Sequence, residues 1–421
     1  MGLSKTPLSW DQKGSRISIY TAGEARRPPR FFFASAMTFS SVDPLVLEAV
    51  EAVCSSEIPK YQNDTFYNSV PRPLFQSLCA AGLGGLSVPE ELGGVGASAA
   101  TTAAVFEAIA RHDLGPAIFI SVHAMVCSLI NRHGSEEQRA TILPTLASGA
   151  SLAAFALTEP GAGSDAAALT TTATPRDGGF TLRGEKCYIT SAGFADLYLV
   201  FARSDSSTKS EISAFLVPSS APGLSISKPE RKMGCELSPI ASLRFDELFV
   251  ESSALLGPLH EGFKVALSGL ASGRVNIAAC ANGLSRAALD CAQKHLTERK
   301  QFGKQLAEFQ GLQFMLADMY SSLQAARLLT QQAATDIDSE RAGGNSGTNS
   351  RLSSSVAKCF ATDAAMQITT NAVQLLGGAG YIKEYHVERY MRDAKMLQIV
   401  EGTNQIQRMI IARELIKESA T

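Results

Sequence analysis

Apolar residues recur along this chain with two different periods, and the period changes twice. Between residues 42 and 150 the spacing is helical. Leu45, Leu47, Val50 and Val53 form one stripe, and Ala103, Val105, Phe106 and Ile109 form another. Gly82 to Pro89 and the pair Gly93-Gly94 punctuate this block as turns. From about 151 to 258 the apolar runs are strand-length: 152–157, 179–184, 197–202, 212–217 and 241–245. They are rich in β-branched and aromatic residues and are separated by Gly, Pro and Ser. No helix-length pattern lies between them, which predicts a largely antiparallel sheet, a small barrel or sandwich. From 259 the helical period returns over 259–299, 308–338, 351–376, 384–397 and 404–417. Arg341 to Ser350, with its Gly, Asn and Ser, reads as an exposed loop between two of these helices.

The order helix block, β block, helix block predicts an α+β multidomain chain. An N-terminal α domain spans 42–150, a middle β domain 151–258 and a helical domain 259–421. The 421 residues fit two to three domains. One uncharged run, Leu114 to Asn131, approaches membrane-spanning length. Its Gly-Pro, His123 and Asn131 favour a buried core helix, without integral membrane association.

Residues 1–41 stand apart. They hold six Lys/Arg, two acids and seven Ser, with no apolar pattern before Phe31, as in a mitochondrial transit peptide. The C-terminal Ser-Ala-Thr is not a peroxisomal address. A net charge of −2 argues against a nucleic-acid partner. The eight Cys are scattered with no Cys-x-x-Cys, and the six His show no ligand spacing. Both facts favour buried thiols in a reducing compartment and no metal site.

Two stretches carry candidate chemistry. In Gln398 to Arg408, Glu401 sits among apolar residues and glycine. Thr403 follows as a plausible N-cap for a helix bearing Ile406, Met409, Ile410 and Leu415. An apolar pocket there would make the carboxylate a stronger base, whereas Glu401 read alone is better taken as an exposed acid beside a turn, a reading that the chain's other motifs reverse. In Phe155 to Asp165, a strand runs into Thr158-Glu159-Pro160-Gly161-Ala162-Gly163-Ser164-Asp165. This turn has little side chain to block a ligand and many N–H and O–H groups to hold one. No Gly-x-Gly-x-x-Gly fingerprint follows.

Four ordered motifs resemble the acyl-CoA dehydrogenase family. They are Thr158 to Asp165, Glu298 to Gly303, Gln374 to Tyr381 with Arg389 to Lys395, and Glu401-Gly402-Thr403. The resemblance spans about 43–417 and implies an N-terminal α domain, a middle β domain and a C-terminal four-helix bundle. It implies FAD-dependent α,β-dehydrogenation of an acyl-CoA thioester. Glu401 takes the α-proton, flavin N5 the β-hydride, and electron-transfer flavoprotein the electrons. Some subfamilies carry the base just before an Arg on another helix. Gly273, before Arg274, holds that place here and leaves Glu401 as sole base.

The resemblance also assigns contacts. Phe155, Leu157, Thr158, Gly163 and Ser164 line the flavin, with Tyr188, Ile189 and Thr190 beside its ring; Tyr188 stands where the family often has Trp. Arg299, Gln301, Phe302, Gln310, Gln374, Leu375, Gly377 and Gly378 reach the FAD of a neighbouring subunit in a homotetramer. Thr403 and Gln405 meet the adenosine half. Ser164, Ala271, Arg274 and Gly402 face the acyl-CoA, and a backbone N–H of the Glu401 turn meets the thioester oxygen with the FAD ribityl 2′-hydroxyl. Gly273 to Cys280 and Leu312 to Met319 resemble members acting on short or branched acyl groups, with isobutyryl-CoA of valine breakdown the favoured substrate. Other readings are a short- or medium-chain enzyme of β-oxidation, an acyl-CoA oxidase, and a flavin-fold assembly or nucleic-acid-binding protein without catalysis.

Overall fold

The structure, a computed structural model, describes residues 42–62, 68–204, 211–343 and 349–418. The transit-peptide expectation for 1–41 lies outside them, as do the tip of the 341–350 loop and the last three residues.

The chain begins with helices α1 (Pro44–Glu57), α2 (Arg72–Ala80), α3 (Ala99–His112), α4 (Leu114–His133) and α5 (Glu136–Ala147). Their starts follow local chemistry. Ser98 accepts the Thr101 N–H at the head of α3, Asp113 accepts the Gly115 N–H at the head of α4, and Ser135 with Gln138 forms a capping box on α5. α4 is apolar and long enough to cross a membrane, but its side chains are packed inside the fold. The α1 stripe differs from expectation. Leu45 is 69% exposed, while Val50 and Cys54 are the buried pair. The helix turns its Val50–Cys54 edge inward, leaving Leu45 on the outer side of its first turn.

Seven strands follow: β1 (Ala153–Ala156), β2 (Thr172–Arg176), β3 (Gly179–Thr190), β4 (Leu197–Arg203), β5 (Ile212–Pro218), β6 (Leu224–Ile226) and β7 (Ile240–Glu251). They join in the order β1-β4-β2-β3-β7-β6, with β5 also on β4. Most pairs are antiparallel, as the short connections require. β4 makes the exceptions: β1 lies parallel to it, and β2 meets it through one parallel pair, Thr172 with Arg203. The chain reaches β4 from β1 only after the β2–β3 hairpin, so the two strands run the same way. A core of Met125, Leu129, Leu199, Phe201, Leu216 and Val265 fuses α4, the sheet and the start of the next helix.

That helix, α6 (Gly262–Glu298), is 37 residues long, roughly 55 Å at 1.5 Å per residue. After a hairpin of β8 (Lys300–Gln301) and β9 (Lys304–Gln305), the chain forms α7 (Gln310–Arg341), α8 (Ser350–Leu376), α9 (Val387–Leu397) and α10 (Asn404–Glu418). Leu289, Leu296, Leu323, Ile368 and Leu375 build the core between α6, α7 and α8. On α10 the expected stripe is only partly inside: Ile410 is 7% exposed, Met409 46% and Leu415 51%.

Candidate active site

The turn between α9 and α10 is unusual in its backbone. Glu401 (φ +54°) and Gly402 (φ +84°) are consecutive left-handed residues. A glycine accepts this at no steric cost, and a Cβ at 402 would meet Gln407 Nε2 at 2.8 Å. A glutamate pays for the same conformation with strain. The strain is held by side chains on two helices, α8 and α10. Gln407, fully buried on α10, donates to the carbonyls of Glu401 (3.0 Å) and Gly402 (2.9 Å). Lys358, fully buried on α8, donates to the Gly402 carbonyl (3.0 Å) and to Asn404 Oδ1 (2.8 Å). Asn404 in turn donates to Asp363 (2.7 Å) and Thr362 (2.9 Å). Thr403 caps α10 by accepting the Ile406 N–H at 3.3 Å.

This fixed backbone presents the Glu401 carboxylate to α6. A Cβ on Gly273 would lie 2.7 Å from Oε2 and 3.0 Å from Cδ. The helix can pass the acid only because residue 273 has no side chain. Oε2 is buried and has no hydrogen-bond partner among the described residues. Burial pushes the Glu401 carboxyl above its usual range, and the positive charges of Arg274 and Lys358 oppose that rise in part. The pocket is therefore not purely apolar: two cations flank a carboxylate that neither of them hydrogen-bonds. Arg274 is 7% exposed and reaches Ser355 at 3.4 Å; its Nε is unpartnered. Ala271 is half-buried on α6, two residues before Gly273. A cavity between α3, α4 and α6 reaches Gly273, with Thr102, Met125, Ser128 and Asn276 among its lining.

The second predicted stretch lies at the end of β1. Phe155 is half-buried and packs on Phe201, ring centroids 5.0 Å apart, and Leu157 and Thr158 are half-buried. Gly163 and Ser164 are exposed, and a Cβ at Gly161 or Gly163 would touch nothing within 4 Å. Beneath the turn is an ion pair out of water. Lys186 on β3 (0% exposed) donates to Glu159 Oε1 (2.7 Å) and to the Leu157 carbonyl (3.0 Å). Glu159 also accepts the N–H groups of Thr170 (2.6 Å) and Thr171 (3.0 Å). Burial alone would raise the Glu159 carboxyl; Lys186 and the two threonines overcome it and hold the group low, at about 2.

The same strand supplies the aromatic residue. β3 bulges against β7 between Lys186 and Ile189, and Tyr188 takes φ +57°. The bulge throws the Tyr188 ring outward, 66% exposed, while Ile189 stays buried in the sheet at 2%. The Cys187 N–H bonds the Thr158 carbonyl at 2.9 Å, so the open turn and the exposed ring form one unit. Thr190, half-buried, ends the strand. An open glycine turn with free polar groups beside an exposed ring fits an isoalloxazine ring and its ribityl chain. Ile189 fits only through its peptide group.

The remaining expected residues face solvent in the single chain. Arg299, Gln301 and Gln310 are exposed around the β8–β9 hairpin. Its two-residue tip, Phe302-Gly303, is left-handed at both positions, as a type I′ turn requires, and Phe302 is 93% exposed. Gln374, Gly377 and Gly378 are exposed at the end of α8. Leu375 instead packs in the bundle core, 5% exposed, so a ligand there would meet its peptide and not its side chain. Thr403 and Gln405 line a polar cleft with Lys395, Gln398 and Arg408. The structure thus unites Glu401, Gly402, Gly273 and Arg274 in one site and Thr158 with Tyr188 in a second. Sequence reasoning passed over Lys358, Gln407 and Lys186. A lysine or glutamine inside an apolar helical or strand run was the available signal.

Comparison with known proteins gives three family profiles in chain order. These are described as the N-terminal domain of acyl-CoA dehydrogenase over 43–150, the middle domain over 154–248 and the C-terminal domain over 260–416. A Dictyostelium discoideum protein named isobutyryl-CoA dehydrogenase, mitochondrial, is 38% identical over 349 residues, covering 83% of this chain and 82% of its own. A Bacillus subtilis acyl-CoA dehydrogenase is 43% identical over 348 residues, 82% of this chain and 90% of its own. The solved structure of butyryl-CoA dehydrogenase from Megasphaera elsdenii matches with a TM-score of 0.84 at 36% identity, covering 88% of this chain and 97% of that one.

Proposed function

The chain belongs to the acyl-CoA dehydrogenase family, an FAD-dependent oxidoreductase with that family's fold, and from that premise we propose that Glu401 is the base that removes the α-proton of a short or branched acyl-CoA. The observation that carries this is the buried, unbonded Oε2 facing Gly273. An α-C–H beside a thioester is weakly acidic, so its removal needs a desolvated carboxylate and a polarised carbonyl. Burial supplies the first. The backbone N–H groups of the left-handed 401–402 turn supply donors for the second.

FAD, when bound, accepts at N5 the hydride that leaves the β-carbon. The chain's own residues hold the rest in place. The Thr158–Ser164 turn and Tyr188 cradle the flavin, Thr403 and Gln405 meet its adenosine end, and Ser164, Ala271, Arg274 and Gly402 face the thioester. The proton goes to Glu401, the hydride leaves with two electrons, and the product is the 2-enoyl-CoA. Isobutyryl-CoA is the proposed substrate, supported by the α6 and α7 sequences and by the Dictyostelium relative.

Electron-transfer flavoprotein is the proposed acceptor. A homotetramer is supported by the exposed Phe302 hairpin and the uncovered apolar side of α10, and a mitochondrial matrix location by the composition of residues 1–41. The test is anaerobic mixing of the FAD-loaded protein with isobutyryl-, 2-methylbutyryl-, butyryl-, isovaleryl- and octanoyl-CoA while flavin absorbance is followed. Isobutyryl-CoA should bleach the flavin fastest, and Glu401→Gln should abolish bleaching with FAD retained. Bleaching by Glu401→Gln at near wild-type rate refutes the base assignment. Rapid reoxidation by oxygen would identify an oxidase instead.

A further inference from the structure

Lys358 is a buried cation that the reaction as described does not use. It lies on α8 among Ser354, Ser355, Ala357 and Thr362, all fully buried, and is itself 0% exposed. A lysine is rarely placed there without a partner, because desolvating an ammonium is costly. Its two acceptors are both neutral: the Gly402 carbonyl at 3.0 Å and the Asn404 carboxamide oxygen at 2.8 Å. Neither compensates a full positive charge. The nearby Asp363 is already matched, by Arg408 at 2.6 Å, by Gln398 and by Asn404. The anion facing Lys358 without a hydrogen bond is Glu401, which Arg274 also flanks and whose Oε2 has no partner among the described residues.

We propose that Lys358 is a positioning residue for the catalytic carboxylate: it pins the Gly402 carbonyl, and its charge favours the anionic form of Glu401. This rests on the reading of Glu401 as the base. Three elements meet at the Glu401 turn. α6 contributes Arg274 and α8 contributes Lys358, both acting on the carboxylate by charge, and α10 contributes the neutral Gln407 to the Glu401 carbonyl; Cys359 and Asp363 also act on the Lys358 charge. Burial pulls the Lys358 ammonium down to about 8, and Glu401 is the largest influence holding it up. The two groups therefore support each other's charged forms, and loss of either is felt by the other.

The division of labour is specific. Gln407 holds the same turn by two hydrogen bonds and carries no charge. Lys358 holds it and adds a field. Removing the field disfavours the carboxylate, so the acid limb of the rate profile moves to higher pH. Removing only the hydrogen bonds displaces the base without moving that limb.

The experiment compares Lys358→Met, Lys358→Arg and Gln407→Ala in the FAD-loaded full-length protein. Flavin bleaching by isobutyryl-CoA is recorded anaerobically across the pH range where each variant stays folded. Lys358→Met should lose roughly tenfold more rate at the acid end than at the alkaline end, and Lys358→Arg should restore the wild-type profile. Gln407→Ala should lose rate by one factor at every pH. A Lys358→Met loss that is uniform in pH, or absent, overturns the proposal. Should Lys358→Met not fold, the reciprocal measurement decides. In Glu401→Gln, nitrogen-15 NMR of the lysine side chains should show Lys358 titrating lower than in wild type, and an unmoved titration overturns the coupling. If Glu401→Gln still bleaches the flavin, the base assignment fails; if it does not and the Lys358→Met profile is unmoved, only this inference fails.

Discussion

Gly273 and Glu401 address the same point in space from different helices, and exchanging their roles tests that geometry. In Glu401→Gly the base is lost, while the turn survives, because a glycine at φ +54° relieves strain. Removal of a positioned general base costs about 10²–10⁴-fold. In Gly273→Glu/Glu401→Gly a carboxylate is supplied from α6. The wild-type Glu401 Cδ lies 3.0 Å from an ideal Cβ on Gly273. In a glutamate, Cβ and Cδ are about 2.5 Å apart through two C–C bonds. The introduced carboxylate can therefore come within roughly 1 Å of the original, and a misplacement of that size costs about 10²-fold. With base removal at the upper end of its range, near 10⁴-fold, the double variant should recover flavin bleaching to roughly 10²-fold below wild type, about 10²-fold above Glu401→Gly. Gly273→Ala alone, with Glu401 kept, should slow bleaching by about 10-fold or more, since its methyl must push Oε2 away from 2.7 Å. The assay is anaerobic single turnover with FAD content and thermal midpoint measured in parallel. A folded, FAD-loaded double variant as inactive as Glu401→Gly would refute the convergence of the two positions.

Three further outcomes follow from the same contacts. Lys186→Met strands the Glu159 carboxylate, 3% exposed as a side chain, and should cost about 3–5 kcal/mol in urea unfolding along with flavin retention; an unchanged midpoint would show that the pair is not coupled. Phe302→Gly places the preferred residue at a left-handed position, so the folded chain should be as stable or more so, while size-exclusion light scattering and flavin absorbance should report loss of the proposed tetramer and of FAD; an intact tetramer with full flavin would remove Phe302 from the proposed interface. Because the folded Glu401 carboxyl is raised, wild-type stability falls as pH rises from the unfolded value through the folded one. Glu401→Gln should therefore have the higher thermal midpoint at alkaline pH and converge with wild type at acid pH, and a constant difference would contradict the raised pKa.

The fold was largely legible because its blocks differ in period. Helical spacing bounds α6, α8 and α10 to within a few residues, and the strong apolar runs find β3, β4 and β5. Strands without such runs were not visible. β2 (Thr172–Arg176) is mostly exposed, and β6 is three residues long. The parallel β1–β4 pairing is a tertiary choice that no local pattern encodes. The site was half legible. Glu401 and Gly273 stand in recognisable motifs, yet their contact joins residues 128 positions apart. The bulge that exposes Tyr188 shows only as a register shift against β7, invisible in a strand of ordinary composition.

What the sequence conceals best is how the proposed base would be kept reactive. A left-handed glutamate costs about 1–3 kcal/mol, and a net backbone hydrogen bond returns about 0.5–1.5 kcal/mol. The two from Gln407 and the one from Lys358 to the 401–402 carbonyls are thus enough to hold the turn. All three act on carbonyl oxygens, and Oε2 of the carboxylate is left without a donor. That distribution matters, because a donor on Oε2 would stabilise the anion and weaken the base. Rigidity is supplied through the backbone, with no donor placed on Oε2. A neutral glutamine and a charged lysine share that task, and of the two only the lysine adds a charge that favours the carboxylate anion.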